Sequence, residues 1–89
     1  MGEVRYSVVL APSADKQLKK LPRDAQRRIV LALEKLADAP RPRGAVKLAG
    51  EDELWRIRVG TYRAVYTIDD EKLVVLMLRI AHRKDAYRG

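Results

Sequence analysis

The chain has no cysteine, a single histidine and a single tryptophan, and its acids are outnumbered by its bases. Without cysteine there is no disulfide framework, no redox thiol and no thiolate metal site, and one histidine cannot build a zinc cluster. No apolar run reaches membrane-spanning length. The first residues, Met1 to Tyr6, lack the basic region followed by an apolar stretch that a secretory signal needs, so the expected location is the cytoplasm. What is present is charge: 19 Lys and Arg against 12 Asp and Glu give a net charge of +7 on 89 residues. Polyanions are the natural partners of such a surface. The length allows one hydrophobic core, so a single domain over residues 1–89 is expected, burying roughly 60% of its unfolded surface and gaining from a stabilising partner.

Hydrophobic periodicity orders the chain. Val4, Tyr6, Val8 and Leu10 alternate with Arg5 and Ser7, the period-2 pattern of a half-buried strand over Val4–Leu10. Pro12-Ser13-Ala14-Asp15 opens a helix in which Ala14, Leu18 and Leu21 share a face, and Pro22 ends it. A second helix starts at Arg23-Asp24 and carries Ile29, Leu33, Leu36 and Ala37 on one face. Pro40-Arg41-Pro42-Arg43-Gly44 is a linker that closes this αα-hairpin. From Val46 onward the pattern is β. Strands are predicted at Leu54–Val59, Tyr62–Ile68 and Leu73–Ile80, with a tight turn at Gly60-Thr61 and a polar hairpin loop at Asp69–Lys72. The fold class is therefore α+β in the order β-α-α-β-β-β, an antiparallel sheet with the N-terminal αα-hairpin packed on one face.

The charges are unevenly distributed. From Leu54 to Ile68 there are three arginines and no carboxylate, and from Arg79 to the end Arg79, Arg83, Lys84 and Arg88 face Asp85 alone. The acids gather in Glu51-Asp52-Glu53 and Asp69-Asp70-Glu71. In the Leu54–Val59 strand Trp55, Ile57 and Val59 take one face and Arg56 and Arg58 the other. If the terminal segment folds back beside this strand, its cations and those two guanidinium groups form one positive concavity. Trp55 is read as a core anchor. Tyr62 and Tyr66 share a face that either lines an RNA surface or packs in the sheet. Lys16, Lys19, Lys20, Arg27 and Arg28 form either a solvated helical face or a sequence-independent grip on RNA.

Taken in order, Leu18-Lys19-Lys20-Leu21-Pro22, Lys47-Leu48-Ala49-Gly50, Trp55-Arg56-Ile57-Arg58-Val59, Tyr62-Arg63-Ala64-Val65-Tyr66 and His82-Arg83-Lys84-Asp85-Ala86-Tyr87-Arg88 resemble the RelE/ParE superfamily of toxin–antitoxin toxins over essentially the whole length. Within it they resemble the RelE-like ribosome-dependent mRNA endonucleases. The resemblance implies a toxin that enters the ribosomal A site and cuts mRNA there, the ribose 2′-hydroxyl attacking the adjacent phosphate without a metal or other cofactor. Such a protein must orient the hydroxyl, neutralise the phosphorane and move protons at two oxygens. By resemblance Arg63 and Arg83 clamp the scissile phosphate, Tyr87 stacks on a base or hydrogen-bonds at the reacting centre, and Arg56, Arg58 and Lys84 bind substrate.

Arg56 and Arg58 stand where the best-known members have lysines, and a guanidinium is a poor general base. His82, the only imidazole, is therefore expected to act as general base or acid, with Tyr87 as the other candidate. Two alternatives share the architecture: a ParE-like inhibitor of DNA gyrase that cuts no RNA, and an inactive member that only binds an antitoxin. The implied partners are a cognate RelB-like antitoxin, in a hetero-oligomeric complex, together with mRNA and the ribosome.

Overall fold

In the computed structural model, which describes residues 4–48 and 53–82, strand β1 (Ser7–Leu10) is followed by helices α1 (Pro12–Lys19) and α2 (Arg23–Asp38). A two-residue strand β2 (Val46–Lys47) then precedes β3 (Leu54–Val59), β4 (Tyr62–Asp69) and β5 (Val74–His82). These form one five-stranded sheet in the order β1-β5-β4-β3-β2. The α+β architecture is the expected one, and the strands refine it. The sheet is antiparallel except that β1 runs parallel to β5. Strand direction leaves no trace in a hydrophobic pattern, and a parallel pair has no hairpin turn to announce it. The fifth strand, β2, is too short to show a period.

β1 starts at Ser7 and not at Val4 because its ladder runs out. Ser7 N–H donates to Leu73 O at 2.8 Å, just outside the start of β5. Tyr6 turns elsewhere: its N–H donates to Ala37 O at the end of α2, and its hydroxyl donates to Asp70 at 2.6 Å.

Both helices cover one face of the sheet. Ala14 of α1 and Ile29, Leu33 and Leu36 of α2 join Ile57, Ala64, Tyr66, Ile68, Val75, Met77 and Ile80 in one core. The apolar positions read from the helical period are thus the buried ones. Tyr66 is the largest fully buried side chain among the described residues, and its hydroxyl donates to Pro40 O at 2.8 Å. Burial pushes its pKa up to about 12. It therefore belongs to the core and not to an RNA surface. That bond also fixes the proline-rich linker, as does Arg41, which donates to both oxygens of Asp70 and lies 5.5 Å from the Trp55 ring centroid. Trp55, read as a core anchor, is only half-buried and stacks under that guanidinium.

β5 holds the fold's main irregularity. Val65 pairs with Arg79 but Tyr66 pairs with Met77, so Leu78 is an extra residue in the strand, a β-bulge. The bulge reverses the alternation beyond it. Met77 and Ile80, three apart, both enter the core, and Arg79 is turned to the opposite face. α1 satisfies the edge of β5 where β1 has ended: Ser13 Oγ donates to Leu78 O, and Ile80 N–H donates to Gln17 Oε1 at 2.7 Å.

Candidate functional site

The sheet face turned away from the helices gathers the arginines. Ile57, Ala64 and Ile80 are cross-strand neighbours on the helix side, so the residues beside them project the other way. One row across β3, β4 and β5 reads Arg56, Val65, Arg79; the next reads Arg58, Arg63, Ala81. Four guanidinium groups from three adjacent strands thus occupy two neighbouring rows with no carboxylate in either. Arg58 and Arg63 are directly opposed, where Cα atoms sit about 4.5–5.5 Å apart and like charges are destabilising. The hairpin that opposes them is as short as a hairpin can be: Gly60-Thr61 joins the strands, with Gly60 at φ +62°, the left-handed value that a side chain opposes.

Burial sharpens the arrangement. Arg63 is the one charged residue among the described residues that is buried, at 6% exposure, and its Nε is shielded from solvent. Arg56 and Arg79 are half-buried, and Arg58 is exposed. A cation held in low dielectric beside others of its sign favours an incoming anion. The planar fork of arginine suits the bidentate geometry of a phosphate.

His82 lies elsewhere. It pairs across the ladder with Tyr62, and the two rings meet edge to face with centroids 5.4 Å apart and planes at 88°. Tyr62 packs against the core from the helix side, so His82 stands on the opposite face of the sheet from Arg56, Arg58 and Arg63. Arg83, Lys84 and Tyr87, and the expected return of the terminal segment, fall outside the described residues. Arg79, in contrast, joins the arginine face without having been named as a candidate. The signal for it was the odd spacing of Met77 and Ile80, which requires a bulge once both are assigned to the core. Among the described residues no group of three or more His, Cys, Asp or Glu is placed to hold a metal ion, and no helix is long and apolar enough to cross a membrane.

The opposite end of the sheet carries a hydrogen-bonded cluster of Tyr6, Arg41 and Asp70. Asp70 accepts from Tyr6 and from both terminal nitrogens of Arg41. The Arg41 and Tyr6 bonds hold the Asp70 carboxyl below the usual carboxylate range, and the same contact raises Tyr6 and Arg41.

The model of one sequence family, the ParE toxin of the type II toxin–antitoxin system, parDE, matches residues 8–87. The chain belongs to the RelE/ParE toxin family. Toxin RelG of Mycobacterium tuberculosis is 36% identical over 93% of this chain and 97% of its own length. Among solved structures, the RelE–RelB complex of Pyrococcus horikoshii contains a chain with a TM-score of 0.79 at 30% identity, matching 89% of this chain and 96% of that one. The toxin–antitoxin complex RelBE2 of M. tuberculosis contains one with a TM-score of 0.80 at 36% identity, matching 90% and 93%. In this RelE/ParE toxin the Tyr62–Tyr66 segment is the central part of the sheet, sending Tyr62, Ala64 and Tyr66 to the helices and Arg63 and Val65 to the arginine face.

Proposed function

We propose that this toxin is a ribosome-dependent endoribonuclease that cuts mRNA in the A site. The observation that carries the reading is the buried Arg63 in a face of arginines that has no carboxylate in its rows. In the proposed reaction the 2′-oxygen of a ribose forms a bond to the adjacent phosphorus and the bond to the 5′-oxygen breaks. The proton of the 2′-hydroxyl is removed and one is delivered to the departing 5′-oxygen, leaving a 2′,3′-cyclic phosphate and a 5′-hydroxyl. The nucleophile belongs to the RNA, so the protein's work is positioning and neutralisation. Arg63 faces the scissile phosphate, and Arg56, Arg58 and Arg79 hold the flanking backbone. Arg83, Tyr87 and Lys84 enter by resemblance alone, Arg83 completing the clamp. Tyr87 takes a proton-transfer role ahead of His82, because His82 is on the other face.

The RelE chains of P. horikoshii and M. tuberculosis were crystallised with antitoxins, and a RelB-like antitoxin is the proposed partner here. Action on ribosomes places the toxin in the cytoplasm. A second reading, inhibition of DNA gyrase without RNA cleavage, is favoured by the match to the ParE family.

The deciding experiment is primer-extension mapping of mRNA on ribosomes stalled with an empty A site, using wild type, Arg63→Ala and ribosome-free RNA. Cleavage within the A-site codon that requires both ribosomes and Arg63 supports the nuclease. Intact mRNA with folded protein overturns it, and a supercoiling assay then separates a gyrase inhibitor from an inactive, antitoxin-binding member.

A further inference from the structure

Of the four guanidinium groups on the arginine face, Arg79 has its place decided outside its own strand. Between the pairs Met77–Tyr66 and Ile80–Ala64, β5 sets two residues, Leu78 and Arg79, against the single position of Val65, and Arg79 takes the pairing. A bulge moved along by one residue would pair Leu78 with Val65 and make Arg79 the extra residue, with Met77 and Ile80 still opposite Tyr66 and Ala64. Met77 and Ile80 are buried in the core, and their burial is the same in both arrangements. The core therefore does not choose between them. For an RNA-binding face the choice matters, because a phosphate gains from a guanidinium and nothing from a leucine.

The selection comes from α1. β1 covers β5 only as far as Met77. Beyond it Ser13 Oγ donates to Leu78 O at 3.0 Å, and Gln17 Oε1 accepts from Ile80 N–H at 2.7 Å. The spacings fit: four residues of helix rise about 6 Å and two residues of strand about 6.6 Å, so one helix face replaces a neighbouring strand. Backbone groups along a strand alternate in direction. Ile80 turns its N–H away from β4 to Gln17, so Arg79 beside it turns its own groups toward Val65. To take that place Leu78 would have to turn its carbonyl to β4, and Ser13 holds that carbonyl on the other side. We propose that Ser13 and Gln17 are positioning residues of the toxin's RNA surface: by pinning the bulge at Leu78 they keep Arg79, and not Leu78, on the arginine face. Neither contacts RNA, and both act through Arg79. This rests on the nuclease reading's assignment of that face to RNA.

The test compares wild type with Ser13→Ala/Gln17→Met, which removes the hydroxyl and the amide oxygen at similar volume, and with Ser13→Thr/Gln17→Glu, which keeps an oxygen at each place. Each is also made with Arg79→Ala. Labelled oligouridine in fluorescence anisotropy reads RNA affinity, and amide hydrogen exchange reads the Ile80 N–H. Ser13→Ala/Gln17→Met is expected to speed exchange at Ile80 about ten-fold and to weaken oligouridine about ten-fold. The slope of log affinity against log salt should flatten by about 0.7, one phosphate contact. Ser13→Thr/Gln17→Glu should bind RNA as wild type does, although it adds a negative charge. With Arg79→Ala already present, Ser13→Ala/Gln17→Met should change affinity by less than about two-fold, whereas a general loosening of the fold would add to it. If the paired variant does not fold, Ser13→Ala alone, at an exposed position, is read through the same cycle. Unchanged exchange at Ile80, unchanged RNA affinity, weak binding by the oxygen-keeping pair, additivity with Arg79→Ala, or wild type that does not bind oligouridine overturns the proposal. The ribosome cleavage assay reads the nuclease separately: coupled binding without cleavage sinks only the nuclease, and Arg63-dependent cleavage with additive binding losses sinks only the positioning role.

Discussion

The two faces of the sheet are built from the same three strands and solve opposite problems. On the helix side Ile57, Ala64, Tyr66, Met77 and Ile80 are buried, and the one polar group among those side chains, the Tyr66 hydroxyl, has its acceptor in Pro40. On the other side Arg58 and Arg63 face each other with Arg56 and Arg79 in the adjoining row, and like charges directly opposed on a ladder repel. Residues one position apart on a strand thus serve different ends. The helix face holds the fold together, and the arginine face presents guanidinium groups to an incoming anion.

Exchanging the two roles is the strongest way to break this contrast. Arg63→Ala is expected to lower ribosome-dependent cleavage by about 10²–10³-fold, the cost of losing one preorganised charge-stabilising group, with a smaller loss of stability than a core truncation. Leu36→Ala, on the buried side of α2, is expected to do the reverse. It should cost about 2–5 kcal/mol in chemical denaturation, and cleavage per folded molecule should persist. A large stability loss in Arg63→Ala would mean that the arginine face is structural after all.

Arg58→Glu sharpens the comparison with a smaller effect. Opposing a carboxylate to Arg63 turns the repulsive pair into an attractive one, and stability should rise by about 0.2–1 kcal/mol in urea titrations while RNA affinity falls. The smallest effect belongs to the Asp70 end of the sheet. Asp70 has its pKa lowered by Arg41 and Tyr6, so its contribution to stability is complete above the ordinary carboxylate range near pH 4 and is lost as pH falls through its depressed value. Asp70→Asn should melt below wild type at neutral pH, and the gap should close in acid; a constant gap across the pH range would refute the assignment.

The sequence made the fold legible wherever periodicity was long. The core face of α2 at Ile29, Leu33, Leu36 and Ala37, and the division of β3 into an apolar and an arginine face, followed from period alone. What escaped was information that periodicity does not carry. The parallel direction of β1 and the two-residue β2 depend on partners distant in sequence. The linker from Pro40 to Gly44 looked free, yet Tyr66 and Asp70 fix it. The candidate site was half legible: Arg56, Arg58 and Arg63 do share a face, because β3 and β4 keep a regular alternation. His82 and Arg79 exchanged places because one residue in β5 breaks that alternation.

That one residue also sets a rule for length. β5 is two strands joined out of step, and Leu78 is the joint. Were the strand to run through Leu78 without a bulge, the far half would slip by one residue, sending Arg79 into the oil and Ile80 and His82 over to the arginine face. Deleting Leu78 would leave Met77, Arg79 and Ile80 in plain alternation opposite Tyr66, Val65 and Ala64, each on its present face. The Asp69–Leu73 hairpin a few residues earlier can absorb a change in chain length as a longer turn, and β5 has absorbed one residue as a bulge inside the ladder.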